Sequence, residues 1–167
     1  IATTARTVLR EMTREDAEFI CDLLNQPSFL QYIGDRLVRT ADDARTFIES
    51  RYRQSYRDHG YGLWVVERTG DAVPIGICGF VRRDALPYPD LGFAYLPAYE
   101  GQGFAYEVAL AALEYARSVL GFTRVLAIVT PENVRSLKLL HRLHFQRDGE
   151  LTLPGDAKPV RALHLDL

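Results

Sequence analysis

The first third of the chain carries two apolar stripes at helical spacing. From Thr13 to Leu24, Ala17, Ile20, Cys21 and Leu24 share one face behind a capping Thr13 and an acidic first turn. From Thr40 to His59 the pattern returns, with Thr40 as cap and Ala44, Phe47, Ile48 and Tyr52 on one face; Gly60 follows as a stop. Between the two, Pro27 breaks the chain, and residues 25–35 predict a short extra helical piece. A weak alternation from Thr7 to Arg10 predicts a short strand ahead of both helices.

Beyond Gly60 the period drops to two. Residues 61–67 and 73–81 are β-rich runs separated by a turn containing Gly70 and Asp71, so they predict an antiparallel hairpin inside a sheet; Asp90 to Leu96 reads as a third strand. A helix follows in which Ala105, Val108, Ala109, Ala112, Leu113 and Ala116 form a narrow face of small residues suited to close packing on a sheet. Residues 123–130 read as a buried strand, 131–143 as a helix, and 145–153 and 160–167 as two closing strands. This order predicts a single α/β (or α+β) domain over residues 1–167, with a mixed sheet of about seven strands and about four helices on its two faces. The strand-helix-strand unit of residues 90–129 predicts a right-handed parallel crossover.

Composition narrows the function more than the fold. With 47% apolar and 25% charged residues the chain is globular in type and disorder is excluded. A net charge of -2 and the lack of any Lys/Arg run remove the usual electrostatic footprint of nucleic-acid binding. The arginines of residues 51–57 are interleaved with polar residues and read as a solvated helix face. Cys21 and Cys78 lie in apolar periodic segments and read as core thiols; the four histidines are scattered without ligand spacing, so no metal is expected. No apolar run approaches the ~20 residues of a membrane span. No signal-peptide pattern opens the chain at Ile1, and the cytoplasm is the default compartment.

One stretch points to chemistry. Glu100-Gly101-Gln102-Gly103-Phe104-Ala105 stands directly before the small-residue helix, where glycines bring backbone amides close to a ligand. A Walker loop needs Gly-Lys-Ser/Thr, which is absent, and a dinucleotide fingerprint needs a third glycine where Tyr106 stands. A tight turn with no ligand, and a nucleotide held by the same turn, both stay open. A diphosphate held by helix N-terminal amides without a lysine uses the most features, because a glycine turn forms an anion nest and the helix dipole adds positive potential. A tail carrying amides can pair along the strand from Asp90 to Leu96 as an added strand does. Pantetheine carries such amides, so coenzyme A fits.

The run from Leu91 to Ala116, followed by that from Thr123 to Phe145, resembles the GNAT superfamily of N-acetyltransferases, and within it the branch that acetylates ribosomal-protein N-termini; residues 6–20 resemble that branch's first strand and helix. The resemblance implies a GNAT-like fold, acetyl-CoA as cofactor, and an amine acceptor that is a peptide N-terminus or a small molecule. It implies no nucleic-acid or membrane partner and carries a homodimer as an option. The family motif Q/R-x-x-G-x-G/A is filled by Glu100, Gly101, Gln102, Gly103, Phe104 and Ala105, with Glu100 departing from Gln or Arg. By the same resemblance Ala94, Tyr95 and Leu96 offer backbone groups to pantetheine, and Phe93 to Tyr95 offer amides that polarise the thioester carbonyl. Asn133 bonds the pantetheine region, and Ser136 completes an N-x-x-S pattern. Arg135, Lys138 and Arg142 share a helix face from which one of them is expected to reach a ribose phosphate, Lys138 being the one put forward, with plain surface charge as the alternative.

Transfer of acetyl to an amine needs a neutral amine and a proton for the departing thiolate. An α-amine, with pKa about 8, asks less of a base than a lysine amine at about 10.4. Many family members carry a Tyr acid where this chain has Leu140. Ser136 is then the nearest polar candidate, Tyr95 and Tyr106 are further options, and Asp90 is a candidate base. His144 replaces a family glycine and reads as a change of turn. The acceptor pocket is expected from Phe29, Tyr32 and the loop from Leu153 to Lys158. The missing Tyr acid also supports a rival reading, a non-catalytic acyl-CoA sensor.

Overall fold

The computed structural model describes residues 1–167. The chain forms a short β1 (Ala2–Thr3) and β2 (Thr7–Arg10), then α1 (Ala17–Leu24) and α2 (Pro27–Tyr32). Next comes one long helical run. It begins as α3 (Ala41–Phe47), passes through a π-helical stretch (Ile48–Arg53) and ends as α4 (Gln54–His59). After it come β3 (Leu63–Arg68), β4 (Pro74–Val81), β5 (Asp90–Tyr95), α5 (Phe104–Ser118), β6 (Arg124–Val129), α6 (Val134–Arg142), β7 (Gln146–Leu151) and β8 (Val160–Asp166). Thr13 and Thr40 each close a capping box, with Asp16 and Asp43 respectively, and Gly60 ends α4 at φ +77°.

The eight strands make one sheet in the order β1-β2-β3-β4-β5-β6-β8-β7, antiparallel except at β5–β6. β1, which the sequence did not announce, pairs Ala2 with Leu9 at one edge. Alternation along β3 and β4 sends neighbouring side chains to opposite faces. On one face Val65 and Ile77 pack with Met12, Ile20, Leu24, Ala44 and Ile48 beneath α1 to α4. On the other, Trp64, Val66, Cys78 and Phe80 meet Val108, Ala109, Ala112 and Ala116 of α5, all four fully buried. The small side chains let α5 sit close to the sheet. In α1 the buried stripe is Ala17, Ile20, Leu23 and Leu24; Cys21 is only half-buried, so it is not the core thiol the periodicity suggested.

The sheet is interrupted at its centre. β4 and β5 pair at six positions, as do β6 and β8, whereas β5 and β6 pair only at Asp90↔Leu126. Past that bridge the two parallel strands have no ladder between them and leave a wedge. Backbone groups alternate along a strand. The Leu96 N–H donates to Ile75 at 3.0 Å on the β4 side, and the Pro89 carbonyl accepts from Leu126 at 2.9 Å on the β6 side. Phe93 and Tyr95 therefore turn their N–H and C=O groups into the wedge, whereas Ala94, opposite Ile77, and Leu96, whose amide is already taken, turn theirs to β4; this corrects the assignment of Ala94 and Leu96 as backbone contacts to pantetheine.

Candidate active site

The wedge opens beside the N-terminus of α5. Gly101 and Gly103 both adopt left-handed conformations, at φ +70° and +82°, and Gly103 is the residue that caps the helix. The N–H groups of Gly101, Gln102, Gly103, Phe104, Ala105 and Tyr106 donate to no acceptor within the protein. Six unpaired donors at the positive end of a 15-residue helix form an anion site, and the glycines allow close approach. The residues present therefore suit a diphosphate.

The loop is clamped from both sides. Arg6 lies over the Phe104 ring at 4.2 Å, donates to the Gln102 carbonyl at 2.9 Å and pairs with Glu107 at 2.8 Å. Burial opposes the charge on Glu107, but hydrogen bonds from Thr4 and Arg6 outweigh it and lower its pKa. Opposite, Glu100 pairs with Arg135 of α6 at 2.5 Å. Glu100, the residue that departs from the family motif, thus holds the loop to α6 through an ion pair. Gln102 turns its side-chain amide back onto the Ala98 carbonyl at 2.7 Å, so it shapes the turn.

Two cavities meet in the wedge. One, of about 300 Å³, runs past Gly101, Gly103 and Ala105 to Tyr106, Arg135 and Arg142. The other, of about 690 Å³, lies on the α1–α4 face between the helices and the β7–β8 loop. They share Phe29, Tyr32, Ile33, Phe93, Ala94, Asn133 and Ser136, which mark the passage between them. Asn133 Oδ1 caps α6 by accepting from the Ser136 N–H at 3.3 Å, and the Ser136 hydroxyl makes no hydrogen bond within the chain.

The structure sorts the remaining candidates. Phe29 and Tyr32 sit at the passage, and Leu153, Pro154 and Asp156 of the β7–β8 loop wall the larger cavity. Lys138 is exposed and borders neither cavity; Arg135 and Arg142 border the smaller one instead, with Arg142 stacked over Tyr106 at 4.2 Å. Lys138 thus lies on the flank of the helix that faces solvent, away from the site to which it was assigned. Asp90 is buried at the closed end of the wedge and pairs with Arg83 at 2.9 Å; burial raises its pKa, against the pull of Arg83. Cys78 is fully enclosed, with its thiol pushed up to about 12 by burial, and is no nucleophile. Leu140, in place of the family Tyr, is fully buried. His144 has φ +67° directly after α6, a change of turn as expected.

Tyr95 packs its hydroxyl in the core rather than turning it to the wedge. Its ring lies over Gly76, where an added Cβ would stand 2.5 Å from Cδ1. Its hydroxyl is enclosed without a partner on the α5 face, and burial raises its pKa well above the usual tyrosine value. Only its backbone reaches the wedge. Tyr95→Phe removes an unsatisfied buried group, so the variant is expected to keep full turnover and gain about 1 kcal/mol in denaturant unfolding. A large fall in turnover would restore the hydroxyl to the chemistry.

Sequence reasoning missed Arg36, Arg51 and Tyr52 on the larger cavity. The arginine-rich helix face is solvated and self-paired at Arg53 and Arg57, both on Glu49, but not at Arg51. The place of Arg36, Arg51 and Tyr52 on the cavity depends on walls that come from distant parts of the chain, which no local pattern marks. The sequence pattern already put Phe47 and Tyr52 on one face, although they are five residues apart and a regular α-helix would splay them. The wider turn brings their rings to 5.3 Å, edge to face, as one wall of the cavity.

Comparison with known proteins agrees with this geometry. The family model described as "Acetyltransferase (GNAT) domain" matches residues 6–146. The uncharacterized N-acetyltransferase p20 of Bacillus licheniformis is 31% identical over 149 residues, 89% of this chain and 83% of that protein. The spermidine N(1)-acetyltransferase of Escherichia coli K12 is 27% identical over 146 residues, 86% of this chain and 74% of that protein. In fold, the crystal structure of the acetyltransferase from Agrobacterium tumefaciens C58 superposes with a TM-score of 0.83 at 20% identity, covering 99% of this chain and 93% of that one. No group of three or more His, Cys, Asp or Glu side chains is gathered to hold a metal, and no helix is long and apolar enough to cross a membrane.

Proposed function

Since the chain belongs to the GNAT acetyltransferase family and is an acetyl-CoA-dependent acyltransferase, we propose that it acetylates a primary amine by direct attack with both substrates bound. The acceptor is an N-terminal α-amine, as in the ribosomal-protein branch, or a small-molecule amine. The observation that carries this reading is the junction. A row of unpaired N–H groups opens into a wedge whose floor strand still offers backbone groups, and that wedge leads into a second cavity.

Acetyl-CoA, when bound, supplies the acetyl thioester. The N–H groups from Gly101 to Tyr106 would hold its diphosphate, and Arg135, now paired with Glu100, would be free to turn to a phosphate oxygen. The backbone groups of Phe93 and Tyr95 take the amides of the tail, and the wedge N–H groups polarise the carbonyl. The Asn133 side-chain amide, whose nitrogen has no partner within the chain, faces the same passage. The acceptor enters from the larger cavity. A neutral amine forms the new C–N bond as the C–S bond breaks; its proton passes to water in the groove, and the Ser136 hydroxyl donates to the departing sulfur. With no strong base in contact with the passage, positioning carries much of the rate.

The test is thiol release from acetyl-CoA, with a mass gain of one acetyl on the acceptor, across peptide N-termini, amino acids and polyamines. Tight acetyl-CoA binding without turnover on any amine would favour the sensor reading. Ser136→Ala is expected to lower kcat by about tenfold while the KM for acetyl-CoA stays within twofold, the pattern of a group used only in the transition state. Equal kcat in the two proteins would remove Ser136 from the mechanism.

A further inference from the structure

The ionisable side chains of the larger cavity are unevenly distributed. Arg83 and Asp90 satisfy each other across its floor. The other four, Arg36, Arg51, Asp84 and Asp156, are exposed and make no ion pair and no side-chain hydrogen bond within the chain. The two arginines belong to the helical wall, Arg36 in the link between α2 and α3 and Arg51 in the π-helical stretch. The two aspartates belong to the opposite wall, Asp84 before β5 and Asp156 between β7 and β8.

The arginine pair is the more telling. Six arginines lie between Ile33 and His59. Four are engaged nearby: Arg39 with Asp35, Arg45 with Asp42, and Arg53 and Arg57 with Glu49. The two left over are the two that border the cavity. Tyr52 stands with them. Its side chain is 8% exposed and its hydroxyl has no partner. Its ring lines the same cavity, beside Phe47. Burial raises its pKa, and the Arg36 charge pulls the other way. Two free guanidinium groups and a free phenol on one wall make a site for an anion of carboxylate type, which arginine binds with paired N–H donors.

We infer that the acceptor is an amine that also carries an anionic group, held by Arg36, Arg51 and the Tyr52 hydroxyl, and that polyamines are disfavoured. This rests on the acetyl-transfer reading and narrows it. A carboxylate on the helical wall leaves the amine free to point to the passage at Phe93 and Ser136. A polycation would meet like charge at the two unpaired arginines while Asp84 and Asp156 on the opposite wall attract it, so the spermidine arm of the experiment decides which wall governs the acceptor. Free acidic amino acids and peptides with an acidic residue near the N-terminus share the required chemistry.

The experiment compares kcat/KM for glutamate, the peptide Ala-Glu-Gly, their amide counterparts glutamine and Ala-Gln-Gly, and spermidine. The anionic member of a pair is expected to lead its amide by about tenfold. Arg36→Gln and Arg51→Gln should each reduce that lead through the KM of the acceptor, with the KM for acetyl-CoA unchanged, and Arg36→Glu/Arg51→Glu should turn the preference toward spermidine. The glutamate and peptide arms separate a free amino acid from a polypeptide end. Equal rates on acid and amide, spermidine leading in the unaltered protein, or glutamine variants that keep the preference would each overturn the inference. Absence of turnover on every amine would count against acetyl transfer itself. The groove is then read without chemistry, by calorimetry of glutamate and Ala-Glu-Gly on the protein saturated with coenzyme A. Heat that disappears in Arg36→Gln/Arg51→Gln supports the anion site, and no heat, or heat unchanged by the substitutions, overturns it.

Discussion

Gly103→Glu is expected to weaken acetyl-CoA binding by roughly a hundredfold or more, about 2.7 kcal/mol, while the domain stays folded. Three effects act in the same direction. Gly103 holds φ +82°, a conformation that costs a residue with a Cβ about 1–2 kcal/mol. An added Cβ lies 3.3 Å from Nη2 of Arg6, the side chain that clamps the loop through Gln102 and Glu107, so the clamp must shift. The new carboxylate is itself an anion at the positive end of α5, and it satisfies the very N–H groups that a diphosphate needs. Calorimetry with acetyl-CoA measures the loss, and a thermal melt by circular dichroism checks the fold. Gly103→Ala separates the terms, since it adds the strain without the charge and should fall between the two proteins. Unchanged affinity in the glutamate variant would mean that the diphosphate binds elsewhere.

Arg10→Ala is expected to cost about 2–3 kcal/mol of stability, seen as a melting temperature lower by roughly 4–12 °C. Arg10 donates from Nη1 and Nη2 to the two oxygens of Asp16, at 2.9 and 2.8 Å, and from Nε to Glu67 at 2.7 Å. Asp16 is 6% exposed and also closes the capping box ahead of α1. Removing Arg10 leaves that carboxylate buried without its countercharge, and β2, β3 and the start of α1 lose their common tie. A denaturant titration reads the change. Asp16→Asn made together with Arg10→Ala should recover part of the loss, because the stranded charge is gone. A loss below about 0.5 kcal/mol would place the pair with ordinary surface ion pairs.

The parts of this protein that sequence revealed are those governed by neighbours in the chain. The Thr13 and Thr40 caps, the Gly60 stop and the small-residue face of α5 depend on residues within one or two turns, and each forms as the periodicity predicts. The glycine turn was legible for the same reason: Gly101 and Gly103 set its shape locally. What stayed hidden depends on residues far apart. Arg6 and Glu107 meet across a separation of 101 positions, and no local pattern marks them as partners. Ala2 and Thr3 form a strand only because β2 lies beside them. The inward or outward direction of Tyr95 is set by its pairing with Gly76, which decides that its hydroxyl is core and its backbone is site. Arg51 is exposed, as its reading on a solvated helix face implied; that it also borders the larger cavity depends on residues remote in sequence, such as Asp84 and Asp156, which no local pattern marks.

The lone bridge at Asp90↔Leu126 has a consequence for handling the protein. Beyond that bridge the main-chain groups of Phe93 and Tyr95 face a margin that no neighbouring strand covers, and an open strand margin invites chain-to-chain association. Only the narrowness of the cleft and the helices around it keep another polypeptide out. Stocks purified without coenzyme A should therefore be the ones that cloud on warming or concentration, and adding the nucleotide should protect solubility by shielding that margin.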